Sequence, residues 1–495
     1  MKLFSTPKRQ FGWFLAFNAL LWTLVPSLFY RVLPLDTAEA VSWGSVFTWG
    51  NSKHPPLPGW LAYGFSTLFD HADFSLFLLS QICVLLGLIY LYRLAREFMG
   101  EKDAIASALL VTFYYYYNWE SIKFNVNLPQ VVFLPMMAFY FARGVHRNSL
   151  AAWVLCGIAA TGAFLSKYVA VLFFAALFVY MLCDKEARRC FLKPGPYIAV
   201  LIFLALTLPH ILWLFDNDFA PLGYFQKRES GYSKGYLRNL LETVGVTAAP
   251  LLAAFFADAV VRFFGGGISF ARTFSCEKKS FLCGASLELV PNLVILILAL
   301  GGAVIHNRWN FQFFLFTGLL ITSLRPPMND KSFRWLLRCA VLFSLVLGLI
   351  MTGYLLFKSK ERHHLEQAEL GKFAETFYRK KTGRELKVIA GEMYYAAEIQ
   401  RAHRYKIKVF LHSDTTALAK MKPEIAKSAL FVGRNPAKLQ NYADFGGATL
   451  TCEPVPQDFV YKAPLGKPKT LRLWFAPAAA IKPSASPAGE AHEKI

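Results

Sequence analysis

Apolar runs of membrane-spanning length, separated by short polar loops, dominate the first three quarters of the chain. The first covers residues 11–30, about twenty positions and long enough to cross a hydrocarbon core. Others centre near residues 84, 110, 134, 157, 175, 205, 252, 297, 318 and 346. This pattern predicts a polytopic α-helical membrane protein with about eleven crossings. After Phe357 the apolar segments shorten and the period changes. Residues 385–390, 407–411, 429–432 and 449–452 read as strands, with helices over 393–401 and 437–443. A small soluble α/β domain of about 120 residues follows from that alternation. The predicted layout is a transmembrane domain over 1–357, an α/β domain over 358–475 and a disordered tail over 476–495, where Ala, Pro and Ser predominate.

Composition agrees: 55% hydrophobic and 16% aromatic residues exceed the usage of soluble chains. The net charge of +21 raises nucleic acid as a partner, but the basic residues sit mostly in short loops and in the last quarter. Anionic membrane lipid is therefore the expected partner, and nucleic acid is not. Lys2, Lys8 and Arg9 precede the first run, and no small-residue cleavage site follows before Pro34, so the run reads as a retained anchor with a cytoplasmic N-terminus. Arg93, Arg96, Lys102, Arg143, Arg147, Lys185, Arg188, Arg189, Lys193, Arg262, Arg272, Lys278 and Lys279 fall on that same side. Residues 36–70, 119–127, the Lys167 turn and 216–239 then share the far face. The α/β domain joins them, in the periplasm if the host has an outer membrane. The eight cysteines form no metal pattern; Cys276 and Cys283 lack a CxxC or nearby His, and Cys452 stands alone in the α/β domain.

The first far-face loop, about residues 31–73, concentrates unusual chemistry: Leu35-Asp36-Thr37-Ala38-Glu39-Ala40, then Trp43-Gly44, Trp49-Gly50 and Lys53-His54-Pro55-Pro56-Leu57. A helix starting at Asp36 puts Asp36, Glu39, Trp43 and Val46 on one face. Two carboxylates one turn apart suit a general base or a cation site. Alternatively Asp36 is an N-cap and Glu39 completes a capping box. The diproline stiffens an extended segment that presents Lys53 and His54 to a lipid phosphate, or merely turns the chain into the next helix. His54 with Glu39 is a sparse metal pair, leaving a divalent metal open.

Other far-face groups fit the same cavity. Glu120, beside Trp119, is a second acid to orient a sugar or acceptor; Lys123 and Lys167 either meet a donor phosphate or snorkel to headgroups. Lys227, Arg228 and Glu229 lie in a loop with Gly223, Gly231 and Gly235, which suggests a lid. The run Tyr114–Tyr117 reads as an interfacial aromatic belt.

An acidic pair after the first crossing, followed by a Lys-Pro-Pro-Leu-like element and a Trp, resembles the polyprenyl-phosphate-sugar-dependent glycosyltransferases of the GT-C fold. These include the protein O-mannosyltransferases and the lipid A aminoarabinose transferases. The form LDxxEAxxWG then KHPPLPGW is most similar to the bacterial lipid A and core galacturonosyltransferase branch, as are Ser121–Asn125 (SIKFN), Leu165–Tyr168 (LSKY) and, more loosely, Leu386–Glu392 (LKVIAGE). The resemblance implies an inverting transferase that moves a monosaccharide from a polyprenyl-phosphate donor to lipid A, lipopolysaccharide core or a glycoprotein, in the bacterial inner membrane. It implies Asp36 as catalytic base and basic residues around the donor phosphate; with the residues read above, the expected site has Glu39, Trp43 and Glu120 against the substrates, and Lys53, His54, Lys123, Lys167 and Arg228 around that phosphate. Two departures stand out: Thr37 follows Asp36 where the wider family often has Glu, and His54 takes the place of the usual lysine. No Gly-rich nucleotide loop is present, as a lipid-phosphate donor allows. A lipid-linked sugar transporter, or an inactive lipid-binding relative, are the competing classes.

Overall fold

The computed structural model describes residues 6–224, 235–266, 278–303, 312–411, 424–425, 428–445 and 448–480. They form two compact units, Met1–His363 with Ala463–Lys467, and His364–Lys462 with Pro468–Ile495.

The first unit is helical. α1 (Pro7–Phe29) starts where the Thr6 hydroxyl accepts from the Arg9 amide and Pro7 sits in the first turn, where no amide donor is needed. After it come α2 (Leu35–Val46), α3 (Leu57–Thr67), α4 (Phe74–Ala95), α5 (Glu101–Val111), α6 (Asn127–Arg147), α7 (Leu150–Ser166), α8 (Ala170–Cys183), the short α9 (Lys185–Arg189) and α10 (Pro194–Asp216). Helices Tyr236–Phe264, Lys278–Leu300, Thr317–Ser323 and Asp330–Phe357 follow. Among the described residues, seven helices are long and apolar enough to cross a membrane: α1, α4, α6, α10, Tyr236–Phe264, Lys279–Leu300 and Asp330–Phe357. The chain is thus a multi-pass membrane protein. Among the described residues, seven of the eleven predicted runs reach spanning length, and α7, α8 and Gln312–Ser323 are shorter apolar helices.

The run near residue 110 shows how an apolar run can form a helix shorter than a span. α5 stops at Val111, and the chain turns through short 3-10 segments at Tyr115–Tyr117 and Glu120–Ile122. The Asn118 amide donates to the carbonyls of Thr112 (2.6 Å) and Tyr114 (3.1 Å), holding the reversal closed. Its oxygen in turn accepts from Trp22 Nε1 at 3.1 Å and from the Ser344 hydroxyl at 3.0 Å. In lipid such groups have no water to turn to, so they pair across helices. Trp22, Phe77, Ile122, Met351 and Leu355 form an apolar cluster in this unit. Tyr114, Tyr116 and Tyr117 are buried and only Tyr115 is exposed, so the expected aromatic belt is interior packing instead.

α2 and α3 meet backbone to backbone. A Cβ at Gly44 would lie 2.0 Å from the Gly59 carbonyl oxygen and 2.5 Å from Tyr63 Cβ. Phe47, in the left-handed region at φ 49°, ends α2 and releases the loop that separates the pair.

The second unit carries a six-stranded sheet: β1 (Val388–Gly391), β2 (Lys408–Leu411), β3 (Ala429–Gly433), β4 (Ala448–Leu450), β5 (Val455–Tyr461) and β6 (Lys469–Ala480). The order is β2-β1-β3-β6-β4, with β5 also on β6. β1 pairs in parallel with β2 and β3, whereas β6 runs antiparallel to its neighbours. Val388, Ala390, Phe410, Phe431, Leu439 and Ala443 are buried in its core. Two boundaries differ from expectation. Ala476–Ala480 lie in β6 rather than in a disordered tail, because their backbone pairs with Leu430, Phe431 and β4 whatever their small side chains contribute. Ala463–Lys467 belong to the membrane unit, where the Leu465 amide donates to Leu356 O at 2.8 Å and Ser359 Oγ to Lys467 O at 2.6 Å. Residues from 481 onward lie outside the described residues.

The Gly44 contact makes a direct prediction. Gly44→Ala forces α2 from α3 and is expected to cost about 1–3 kcal/mol, read as a lower unfolding temperature in detergent. Gly12→Ala, where a Cβ meets nothing within 4 Å, is the control and stays within about 1 kcal/mol of wild type.

Candidate functional site

The capping alternative for Asp36 does not hold. Pro34 occupies the N-cap of α2 without a side-chain bond, which places Asp36 inside the first turn and Glu39 beyond the capping-box position. Asp36 is half-buried and, among the described residues, takes part in no ion pair. Glu39, one turn on, is buried.

The loop from α2 to α3 is organised by Asn51. Its side-chain oxygen accepts from the amides of Lys53 and His54, both at 2.9 Å, and its own amide donates to His54 O at 3.2 Å. Pro55 and Pro56 then lead into α3, with Pro58 in its first turn. This local turn aims Lys53 back at α2, where its ammonium pairs with Glu39; the two side chains are only 9% and 8% exposed. The ammonium also lies 5.8 Å from the Trp43 ring and 5.5 Å from that of Tyr224. Trp43 meets the His54 ring edge-on at 5.7 Å. Burial opposes the Lys53 charge, yet the charge and hydrogen bond of Glu39, with Tyr224 and Asp36 also contributing, hold its pKa above the ordinary 10.5.

The other anticipated residues fall into separate groups. Glu120 and Lys123 pair with each other, Nζ donating to the two carboxylate oxygens at 2.8 and 2.9 Å. Lys167 Nζ donates to Asn127 Oδ1 at 2.9 Å, and Gln130 Nε2 caps the Lys167 carbonyl at 2.7 Å, so this half-buried lysine is held at the α7–α8 turn rather than reaching for headgroups. Lys227, Arg228, Glu229 and Cys276 lie outside the described residues. The structure thus brings Asp36, Glu39, Trp43, Lys53 and His54 together, and leaves Glu120 with Lys123.

Sequence reasoning passed over Asn51, Tyr224, Asn127 and His210. The last carried a readable signal, a histidine within the apolar run of α10. The metal pair fares poorly: the Glu39 carboxylate is engaged by Lys53, and among the described residues no three His, Cys, Asp or Glu side chains gather into a metal-binding group.

The Lys53–Glu39 pair sets a stability expectation. Because the folded lysine pKa is raised, the lysine's share of the pair's contribution is fully present below 10.5 and is lost only as pH rises through the folded value. Glu39→Gln leaves a buried ammonium with a weaker partner and is expected to cost about 3 kcal/mol, unchanged from pH 6 to about 9. Thermal unfolding across that range checks both points, and an unchanged midpoint in the variant would count against the pair.

Comparison with known proteins reaches this same loop. Residues 53–213, which begin at Lys53, match the family described as dolichyl-phosphate-mannose-protein mannosyltransferase. The lipopolysaccharide core galacturonosyltransferase RgtB of Rhizobium johnstonii is 29% identical over 315 residues, 61% of this chain and 63% of that protein. RgtA of the same organism, another lipopolysaccharide core galacturonosyltransferase, is 23% identical over 307 residues, 57% of this chain and 58% of its own. The chain therefore spans less than two thirds of the curated relatives it matches. Among solved structures, ArnT from Cupriavidus metallidurans bound to undecaprenyl phosphate aligns over 97% of this chain and 99% of its own, at 14% identity and a TM-score of 0.47. The resemblance is borne out: over residues 53–213 this chain is similar to the dolichyl-phosphate-mannose-protein mannosyltransferase family, and over longer stretches to the two lipopolysaccharide core galacturonosyltransferases.

Proposed function

We propose that the chain is an inverting glycosyltransferase of the bacterial inner membrane, moving a monosaccharide from a polyprenyl phosphate to an acceptor on the periplasmic face. Lipopolysaccharide core or lipid A is the acceptor class and galacturonic acid the favoured sugar, by likeness to the two Rhizobium enzymes. The observation that carries this reading is the first loop. Asp36, which enters no ion pair among the described residues, stands one turn from Glu39, and Glu39 holds Lys53, the residue at which the family match begins.

The chemistry is a single displacement. Asp36 takes the proton of the acceptor hydroxyl as its oxygen attacks the anomeric carbon; the bond to the phosphate oxygen breaks, and its electron pair leaves with the polyprenyl phosphate. Inversion at the sugar follows. Lys53 neutralises the departing phosphate, with His54 beside it, and Lys123, Lys167 and Arg228 are assigned to the same donor headgroup. At rest Glu39 occupies Lys53, so a donor phosphate must share or displace that carboxylate. Glu39 then holds the cation, Trp43 forms an apolar wall beside it, and Glu120 orients a sugar hydroxyl. On this reading the predicted runs account for about eleven passages of the chain, some on helices too short to span alone, and place the α/β unit in the periplasm.

Mass spectrometry of lipid A, core oligosaccharide and envelope glycoproteins from a deletion strain tests the assignment. One sugar mass is expected to vanish from lipopolysaccharide and return with the wild-type gene. Asp36→Asn, at wild-type abundance and unfolding temperature, is expected to slow transfer by about a hundredfold or more. Full restoration by that variant would remove Asp36 as base. A sugar missing from proteins would move the acceptor to that class, and accumulation of donor on the cytoplasmic face alone would favour a transporter.

A further inference from the structure

We propose that His210 is a positioning residue for the phosphate-binding loop, clamping residues 47–54 to α10 and to the turn that carries Lys167. The inference rests on the reaction proposed above for the purpose of the clamp, though not for its existence.

The loop needs an external support. Between the end of α2 and Pro55 it is held by short-range bonds: Asn51 to Lys53 and His54, and Thr48 Oγ1 to Gly50 O at 2.7 Å. Trp60 of α3 reaches it as well, donating to Thr48 O at 3.1 Å. These contacts, with the Lys53–Glu39 pair, tie the loop to its neighbours α2 and α3. His210 ties it to α10. Its imidazole is fully buried in α10, and Nδ1 lies 2.6 Å from the Trp49 carbonyl oxygen. A carbonyl only accepts, so Nδ1 carries the hydrogen; in the neutral ring Nε2 is then the acceptor for the Tyr168 hydroxyl at 3.1 Å. The ring also lies near-parallel to those of Tyr168 (5.8 Å, 21°) and Trp213 (6.0 Å, 12°).

Trp213 makes the second point of attachment. Gly50 packs on its indole so closely that a Cβ would lie 2.6 Å from the ring. One turn of α10 therefore grips two consecutive residues of the loop, Trp49 by a hydrogen bond and Gly50 by van der Waals contact. Lys53 follows three residues later. Tyr168 adjoins Lys167, whose ammonium is fixed on Asn127, so His210 links by hydrogen bonds the two segments that carry Lys53 and Lys167, two of the three lysines assigned to the phosphate. Eight residues beyond the end of α10 stands Tyr224, the other aromatic over Lys53. A cation displaced by an ångström loses much of its hold on a transferring group, which is why such a clamp affects affinity without touching the ligand.

The test uses the full-length protein in nanodiscs, with hydrogen–deuterium exchange across residues 47–54 and binding of undecaprenyl phosphate as the probe. His210→Ala is expected to speed exchange in the loop and weaken undecaprenyl phosphate binding about tenfold. His210→Asn, whose amide keeps a donor near the Nδ1 position, is expected to stay within about threefold of wild type, and Tyr168→Phe to fall between them. Unchanged loop exchange in His210→Ala overturns the clamp, whatever reaction the protein performs. Faster exchange with wild-type binding overturns the positioning role, as does equal loss in the Ala and Asn variants. Should His210→Ala fail to fold, the comparison of His210→Asn with His210→Gln decides: Gln reaches past the Nδ1 position, and equal behaviour of the two counts against the inference. Wild-type protein that neither binds undecaprenyl phosphate nor restores a sugar overturns the proposed reaction instead, leaving loop exchange to judge the clamp alone.

Discussion

A cation withdrawn from water must bring its partner with it, and much of this membrane unit is arranged around that requirement. Lys53 has Glu39, Lys123 has Glu120, and Lys167 has the Asn127 oxygen. The same rule operates elsewhere, where Asp258 takes both Arg262 and Arg325 at 2.9 and 3.1 Å. Without these pairings each buried charge would carry a desolvation cost of several kcal/mol, comparable to a large share of the stability of a folded domain. The pairings also decide where chemistry is possible. A lysine already neutralised does not attract a phosphate from afar; it exchanges one anion for another on arrival. The proposed donor site is therefore a place of substitution, in which the resident carboxylate sets how tightly the incoming group is held.

That requirement explains which parts of the molecule the sequence disclosed. Apolar runs are visible because lipid demands them, so the positions of the helices were legible even where their lengths were not. The break after α5 was hidden, since it depends on Asn118 collecting donors from Trp22 and Ser344, far away in the chain. The Tyr114–Tyr117 run misled for a related reason: composition suggests an interface, but a turn that folds inward carries its tyrosines with it. In the α/β unit the four buried or half-buried strands were found, whereas β5, with alternate residues exposed, and β6, ending in alanines, offered little hydrophobic signal.

At the candidate site the residue types were legible and their pairing was not. Asp36, Glu39, Trp43, Lys53 and His54 stood out as a cluster, yet spacing alone gave no sign that Glu39 would be taken by Lys53. The supporting residues were harder still. Asn51, Asn127 and Gln130 look like ordinary loop and helix-end amides until their partners are known. His210 was the exception, a polar ring in an apolar run whose need for two hydrogen-bond partners could have been anticipated from burial alone.

The spacing Asp36-Thr37-Ala38-Glu39 now has a physical meaning. Adjacent carboxylates on a helix point about 100° apart and meet different surroundings, whereas residues three apart share a face. Here they share it at different depths. Glu39 lies lower, out of water and bound to Lys53; Asp36 lies a turn nearer the helix start, half-buried and without an ion pair among the described residues. Two like groups placed in unlike environments can take unlike roles, one holding a cation and the other free to accept a proton. On the proposed mechanism, moving the second acid from position 37 to 39 separates those tasks. It keeps the lysine's partner from competing with the base for the acceptor hydroxyl.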